Sequence, residues 1–307
     1  MKYKIESISA FLAVLMLAAC GGGGGSPTPA GGELDRLRSD PRVVRLQGIV
    51  DRSDALLVPS NHIHYTITAQ GQTVSERLVE RMSCAGPRCV AEDGTETTVG
   101  DLIDFEDPFA DIGSTEVDLG SRSGFDTIAA TGDLDIEVDA ADVSLAADLA
   151  VTSYGFWGEH GFAAVQLLAA PLSGQVNGAP YHGKASYAAA FAVGDATGTN
   201  PVGMGSATWR GIAEAASTRT FERRQGTATV TVADLSRPRV SVGIAVPGHA
   251  IDAPAWADMP LAGGRFAAGT AGTDYLEGNF HGPDHGETYG VFDTGAYIGG
   301  FGAKRDR

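Results

Sequence analysis

"GNFHGPDHGETYGVF", residues 278–292, decides how the C-terminal third of the chain is read. His281, Asp284, His285 and Glu287 fall within seven residues of one another. An H-x-x-x-H pair serves a metal when a helix carries both imidazoles on one face, and Gly282 and Pro283 forbid that helix. Gly-Pro instead reverses the chain, so His281 and His285 are expected at a turn facing water, with Glu287 in the next strand. Convergence of His281, His285 and Asp284 across that turn remains the alternative, a zinc or iron site.

Period-two alternation runs outward from this stretch. Ala228, Val230 and Val232 alternate with Thr227, Thr229 and Thr231, and Val240, Val242, Ile244 and Val246 follow with the same period. Eight strand candidates occupy 206–213, 219–222, 227–234, 239–246, 262–268, 273–281, 287–293 and 296–303. Eight short strands bounded by glycine turns predict a closed antiparallel barrel, which leaves no exposed edge. Further upstream, Leu134, Ile136 and Val138 alternate with acids. Val143, Leu145, Ala147, Leu149 and Val151 follow a short turn, which predicts a hairpin. The fold class is therefore all-β: an eight-stranded antiparallel barrel preceded by a β-rich domain. Helical signals are sparse; "VSERLVERM", residues 74–82, reads as a short helix capped by Ser75, and Thr98 as the cap of a turn at "VGDLID". The stretch "GDATGTNPVGMG", residues 194–205, packs Gly, Thr, Asn and Pro between strand-like segments and marks the domain boundary.

Charge excludes one class of partner. The formal net charge is -16 over 307 residues, and nucleic-acid binding needs clustered Lys and Arg to displace counterions. Ten acids and no base lie between Glu92 and Asp118. They lack the D-x-[DN]-x-[DN]-G spacing of an EF-hand, so they read as a solvated loop face, with a calcium site or a patch for a basic protein as the alternative.

At the N-terminus, Lys2 and Lys4 precede an apolar run from Ile8 to Ala19, too short to span a bilayer and shaped like a secretory signal. "LAAC", residues 17–20, resembles the bacterial lipobox, which implies cleavage before Cys20 and a lipid on that cysteine. "GGGGGSPTPAGG", residues 21–32, is a flexible tether. Gly21 after the cysteine implies export to the outer membrane, with the protein at the cell surface. The expected organisation is a signal peptide over 1–19, the lipidated Cys20 and linker over 20–40, a β-rich domain over 41–196 and the barrel over 197–307. Cys84 and Cys89 remain, in a C-x4-C arrangement around Gly86-Pro87. In an exported chain this reads as a small disulfide loop, with two free thiols as the alternative.

The closing segments carry a resemblance. "GNFHGPDHGETYGVF" followed by "GAYIGGFGAKR", residues 295–305, resembles the closing strands of the transferrin-binding-protein-B-type β-barrel. That family's pattern is roughly G-x-F-Y-G-P, then E-x-G-G-x-F, then F-G-A-K-R. Gly278, Phe280, Gly282, Pro283, Glu287, Gly290, Phe292 and the run from Phe301 to Arg305 stand at matching positions. "GSATWRG", residues 205–211, looks like the opening strand and "GTATVTVADLSRPRVSV", residues 226–242, like the second hairpin. His281 replaces a Tyr of the pattern and Tyr289 the first Gly of its pair. The match covers about the last hundred residues and one barrel, as in single-barrel surface lipoproteins such as factor H binding protein and the haem-scavenging members. The resemblance implies the barrel fold, a handle-like domain before it, and a role in non-covalent ligand capture. The family's ligands include transferrin, complement regulators and haem.

The remaining chemistry is weighed on the residues themselves. Tyr154, Phe156, Trp157 and Phe162 supply a candidate aromatic anchor for a partner, Phe156 and Trp157 foremost, or a strand packed on a sheet. His62 and His64 share one face of a strand and are candidate haem or metal ligands, or plain surface polar residues. "GAPYHGKA", residues 178–185, falls short of a Walker A loop because Ala185 lacks the hydroxyl that holds magnesium. Neither G-x-S-x-G nor H-E-x-x-H occurs. The expectation is a non-enzymatic, outer-membrane-anchored lipoprotein that binds a protein or haem-bearing ligand through loops. It needs no cofactor and takes no nucleic acid; its membrane contact is through the lipid. A structural or adhesive envelope protein, and a haem or metal scavenger using the histidines, are the alternatives.

Overall fold

The computed structural model describes the backbone of residues 36–306 apart from 38, 54, 70, 86–87, 92–95, 99–112, 141–142, 177–178, 248 and 252–255. The side chains of 55–56, 82–85, 88–89, 91, 96–98, 113–115, 132–140, 143–149, 176 and 249–250 also lie outside the description.

The first element is a helix, α1 (Pro41–Arg52). Asp40 caps it by accepting the Arg42 N–H at 2.9 Å, and Pro41 fits the first turn, where no N–H partner is needed. Val43, Leu46 and Ile49 form its buried stripe. No expectation covered this helix, although the Asp-Pro start is a legible signal.

Ten strands form the first sheet. They are β1 (Ala55–Leu57), β2 (Ser60–Ala69), β3 (Gln72–Ala85), β4 (Arg88–Ala91), β5 (Glu96–Thr98), β6 (Gly113–Arg122), β7 (Phe125–Ala140), β8 (Val143–Trp157), β9 (Gly161–Val176) and β10 (Ala179–Gly194). Their order is β5-β4-β3-β2-β10-β9-β8-β7-β6, with β1 also on β10. The expected hairpin is present, Ala140 lying opposite Val143. The expected helix over 74–82 is not: those residues belong to β3, paired residue for residue with β2 from Ser60 opposite Arg81 to Ala69 opposite Gln72. Ladder pairing with a β-branched, aromatic partner strand overrides the helix preference of Glu, Arg and Leu. Gly71, at φ 75°, closes that hairpin. Thr98 ends β5, and the turn assigned to 99–104 lies outside the described residues.

The second sheet comprises β11 (Ala207–Ser217), β12 (Arg223–Val232), β13 (Arg239–Val246), β14 (His249–Ala250), β15 (Met259–Ala262), β16 (Arg265–Ala268), β17 (Tyr275–His281), β18 (Glu287–Asp293) and β19 (Tyr297–Arg305). The order β12-β11-β19-β18-β17-β16-β15-β13 closes through β12–β13 pairing, giving the expected eight-stranded antiparallel barrel, with β14 appended to β13. Two details differ from expectation. Residues 219–222 form a turn in which the Phe221 N–H donates to Ser217 O at 2.8 Å, with Phe221 itself at φ 55°. The stretch 262–268 is broken by Gly263 and Gly264, both at positive φ, so β15 and β16 are separate strands.

The barrel interior is filled. Trp209, Trp256, Phe266, Phe280, Phe292 and Phe301 are each at most 1% exposed and share one core with Val230, Val240 and Ile244. Its outer face across β11, β18 and β19 packs on β8, β9 and β10, where Ile212, Tyr289 and Val291 meet Phe156, Ala163 and Ala192. Ala216 and Ile298 meet Val165, Ala188 and Ala190 beside them. Small residues set the spacing: a Cβ on Gly300 would lie 3.0 Å from the Ala163 Cβ. On the opposite face of the sheet, Leu46 and Ile49 of α1 cover Trp157, Phe162, Ala164, Phe191 and Val193, and Trp157 Nε1 donates to Arg42 O at 3.1 Å.

Candidate functional site: a polar seam and the loop hung from it

Polar residues cluster where the sheet meets the barrel. At one end the Asp293 carboxylate, fully buried, accepts from the Ser60 hydroxyl, from the Gly272 N–H at 2.8 Å and from the Gly295 N–H at 2.8 Å, and pairs with His62 Nε2 at 2.9 Å. Burial alone would raise this carboxyl, but the bonds from His62, Ser60 and the Gly295 N–H outweigh it and hold Asp293 below its usual range.

At the centre, Glu287 accepts from the backbone N–H groups of Glu159 and His160, the latter at 3.0 Å, and from the Tyr289 hydroxyl at 3.1 Å. Lys304 Nζ stands 3.6 Å away. Burial pushes the Tyr289 phenol well above its usual range, and the Glu287 charge adds to that shift. Beside them His160 Nδ1 pairs with Asp195 Oδ2 at 3.1 Å. His281 is 2% exposed, its ring set edge-on to Tyr289 at 5.6 Å between centroids. Both of its ring nitrogens, and Asp195 Oδ1, have no hydrogen-bond partner. Burial lowers the His281 imidazole to about 4; the nearby Asp195 opposes this and His160 reinforces it. The Asp195 backbone is close enough to favour the charged ring, yet it lacks hydrogen-bond geometry, so His281 is a neutral, unpartnered imidazole.

At the other end, Arg223 forks onto Glu214 through Nε at 2.8 Å and Nη2 at 3.0 Å. Arg122 of β6 reaches the same carboxylate at 3.2 Å. The Arg223 guanidinium lies 3.8 Å over the Tyr154 ring, so this ion pair also joins barrel to sheet.

The expected turn histidines are thus separated. His281 ends β17 with its side chain in the seam rather than in water; the turn begins only at Gly282, φ 72°, and Pro283. His285 does sit on that turn, with Nε2 2.9 Å from Thr199 O and its own carbonyl accepting from Trp209 Nε1 at 2.7 Å. His62 and His64 do share a face of β2, but His62 is taken up by Asp293, and His64 stacks on Phe221. Among the described residues no three His, Cys, Asp or Glu side chains are arranged to hold a metal. Phe156 and Trp157, the expected aromatic anchor, are both 0% exposed. They are consecutive residues of a strand covered on both faces, one ring facing the barrel and the other α1. The near-Walker stretch runs into β10, a strand without a phosphate loop. Cys20 lies outside the described residues, as do the side chains of Cys84 and Cys89; the β3–β4 register sets those two cysteines directly opposite each other.

The stretch read from sequence as a domain boundary is a loop that hangs from this seam. Residues 195–206 link β10 to β11, held by Thr197 N–H on Phe280 O at 3.1 Å, Asn200 Nδ2 on Leu261 O at 3.2 Å and Leu235 N–H on Gly205 O at 2.8 Å. Between those tethers Val202 is 73% and Met204 95% exposed. The only sequence signal was an apolar pair set among Gly, Asn and Pro, which reads first as a linker.

No family model matches the chain, and no curated protein matches it. Solved structures similar to it include two of low identity. Intact Ap-TbpB, comprising N and C lobes, is 14% identical with a TM-score of 0.29 over 80% of this chain and 46% of that one. The chain therefore spans less than half the length of that structure. A protein of unknown function of the DUF3598 family from Nostoc punctiforme is 9% identical with a TM-score of 0.23, over 87% of this chain and 99% of that one.

Proposed function

We propose that this chain is a lipid-anchored, outer-membrane surface protein whose barrel is of the transferrin-binding-protein-B type. It captures a protein or haem-bearing ligand non-covalently through loops, without catalysis and without a resident cofactor. The observation that carries the reading is the filled barrel: with six buried aromatic rings inside it, a ligand is met by the loops, and Val202 and Met204 present exposed apolar side chains on one of them. The motif residues support the barrel type by their positions: Gly278 and Phe280 in β17, Gly282 and Pro283 at the turn, Glu287, Gly290 and Phe292 in β18, Phe301 to Arg305 in β19. The lipobox-like "LAAC" supports the anchor.

Two experiments test the reading. Cys20→Ser should release the protein from membrane fractions or leave it unprocessed; unchanged membrane retention overturns the anchor. Affinity capture from host or environmental fluids should recover a ligand with the wild type and lose it with Val202→Ser/Met204→Ser. Equal recovery by both proteins overturns the loop assignment, and a new visible absorption band on mixing with haem identifies a haem ligand.

A further inference from the structure

A second surface lies on the strands, away from the loop just described. β10, β2 and β3 run side by side beyond the barrel, and their register places Lys184, Thr66 and Ser75 in one row across the sheet. The row nearer the barrel holds His64 and Arg77, and the row beyond holds His182, Thr68 and Thr73. Neighbouring strands are about 4.8 Å apart and alternate residues of one strand about 6.8 Å apart, so all these side chains share one face of the sheet.

This face opposes the character of the chain. The protein carries a formal net charge of -16, yet these positions include Lys184, Arg77 and two histidines and no carboxylate. Glu76 and Glu80 of β3 point to the opposite face by alternation. Glu222, on the adjoining barrel turn, is held by Arg224 at 2.7 Å. Among the described residues Lys184 meets no carboxylate. His64 reports the local field: burial lowers its imidazole, and the charges of Arg77 and Lys184 lower it further. The other positions named on these three strands are hydroxyl, while on the far side of β10 the His182 row runs across β9 and β8 to Glu137 of β7. Ser75 Oγ bonds Thr66 Oγ1 at 2.9 Å and His64 Nε2 at 3.0 Å, and Thr68 bonds Thr73 at 2.9 Å. Each hydroxyl keeps acceptor capacity beyond these bonds. The Phe221 ring, stacked on His64 at 6.3 Å, forms the wall toward the barrel.

We propose that this face binds an acidic polysaccharide, a glycan chain bearing carboxylate or sulfate groups. Spaced cations answer its spaced anions, and rows of hydroxyls answer its hydroxyls. A protein partner would call for buried apolar anchors, and of the exposed large apolar residues described, only Val79 borders the face. The proposal is independent of the loop reading, because no residue of 195–206 belongs to it.

The test is binding of defined oligosaccharides to the full chain at low salt, by calorimetry. Oligogalacturonate carries the carboxylate arm, sulfated dextran the sulfate arm, and plain dextran the uncharged control. Binding of at least one charged chain is expected, weakening as salt rises. It should fall about tenfold or more in Lys184→Glu/His182→Ala and stay unchanged in Val202→Ser/Met204→Ser. Lys184 and His182 are both exposed, and Lys184 has no acidic partner among the described residues, so the double variant should melt with the wild type. Failure of both charged chains to bind, equal binding of plain dextran, or undiminished binding by the folded double variant overturns the proposal. So does equal or tighter binding of a glutamate oligopeptide, a DNA oligonucleotide or anionic vesicles, which would assign the face to another class of polyanion.

Discussion

His62 Nε2 lies 2.9 Å from Asp293 Oδ2, joining β2 of the sheet to the end of barrel strand β18 across 231 residues of sequence. The carboxylate is fully buried and its remaining lone pairs are met by Ser60 and two backbone N–H groups. Removing it strands a buried imidazole, a hydroxyl and two amides together. Asp293→Ala should therefore cost about 3–5 kcal/mol, read as a lowered midpoint in denaturant. Because the folded carboxyl is held below its unfolded value, its contribution is present above the ordinary aspartate range and is lost as pH falls through that lower value.

His281 acts in the same direction but in a higher pH window. Its imidazole lies near 4 when folded against 6.5 when free, so the unfolded chain binds the extra proton between those values. Stability is unaffected above about pH 6.5 and falls by about 3 kcal/mol on going to pH 4. His281→Gln, which cannot charge, should flatten this part of the stability profile. A variant whose stability falls as steeply as the wild type between pH 6.5 and 4.5 would remove His281 as the cause.

Phe280 and Phe292 each contribute a fully buried ring to the barrel core. Replacing either with Ala should cost about 3–5 kcal/mol through lost burial and the cavity left behind. Met204→Ser, at a residue 95% exposed, should change stability by less than about 0.5 kcal/mol. Thermal melts of the three variants make the comparison directly.

Gly194 sits where a Cβ would come 2.6 Å from His281 Nδ1 and 2.7 Å from His160 O. The neighbours are a fixed backbone carbonyl and a ring packed on all sides, so neither yields cheaply. Gly194→Ala should destabilise by about 1–3 kcal/mol, whereas Gly198→Ala, open to solvent but at φ 67°, carries only the left-handed backbone penalty of about 1–2 kcal/mol. A ranking of denaturation midpoints with Gly198→Ala far below Gly194→Ala would contradict the packing account.

Cys84 faces Cys89 across the β3–β4 hairpin. If the protein forms this bond, both thiols should resist alkylation until a reductant is added, and reduction should cost no more than about 2 kcal/mol because the closed loop is short.

Much of the barrel was legible because its strands announce themselves locally. Val240 to Val246 alternate cleanly, and the Gly-Pro reversal at 282–283 fixes the β17–β18 connection. Where propensity and pairing disagreed, as in Val74 to Met82, the ladder with β2 decided, and that partner cannot be seen from the segment alone. α1 carried its own Asp-Pro signal but is short and has no long apolar stripe. The seam was illegible for a different reason. His160 finds Asp195 only once β9 and β10 pair, with Gly161 opposite Gly194, and His62 finds Asp293 only after two sheets are packed, so nothing in the spacing of these residues marks them. His281 was misread because a residue one position before a Gly-Pro turn can belong to the strand, and there its side chain faces whatever that strand covers.

The alanine-rich stretches of β9 and β10 and the glycines of β19 let sheet and barrel approach nearly backbone to backbone. A protease cut within 195–206 would not free two sound halves, because each would bare the aliphatic and aromatic patch its neighbour now hides, Ile212, Tyr289, Val291 and Ile298 on one and Phe156, Val165 and Ala190 on the other. The barrel is thus no removable cartridge: expressed by itself it should be sticky and prone to clump, and the intact chain should lose both β units in a single melting step.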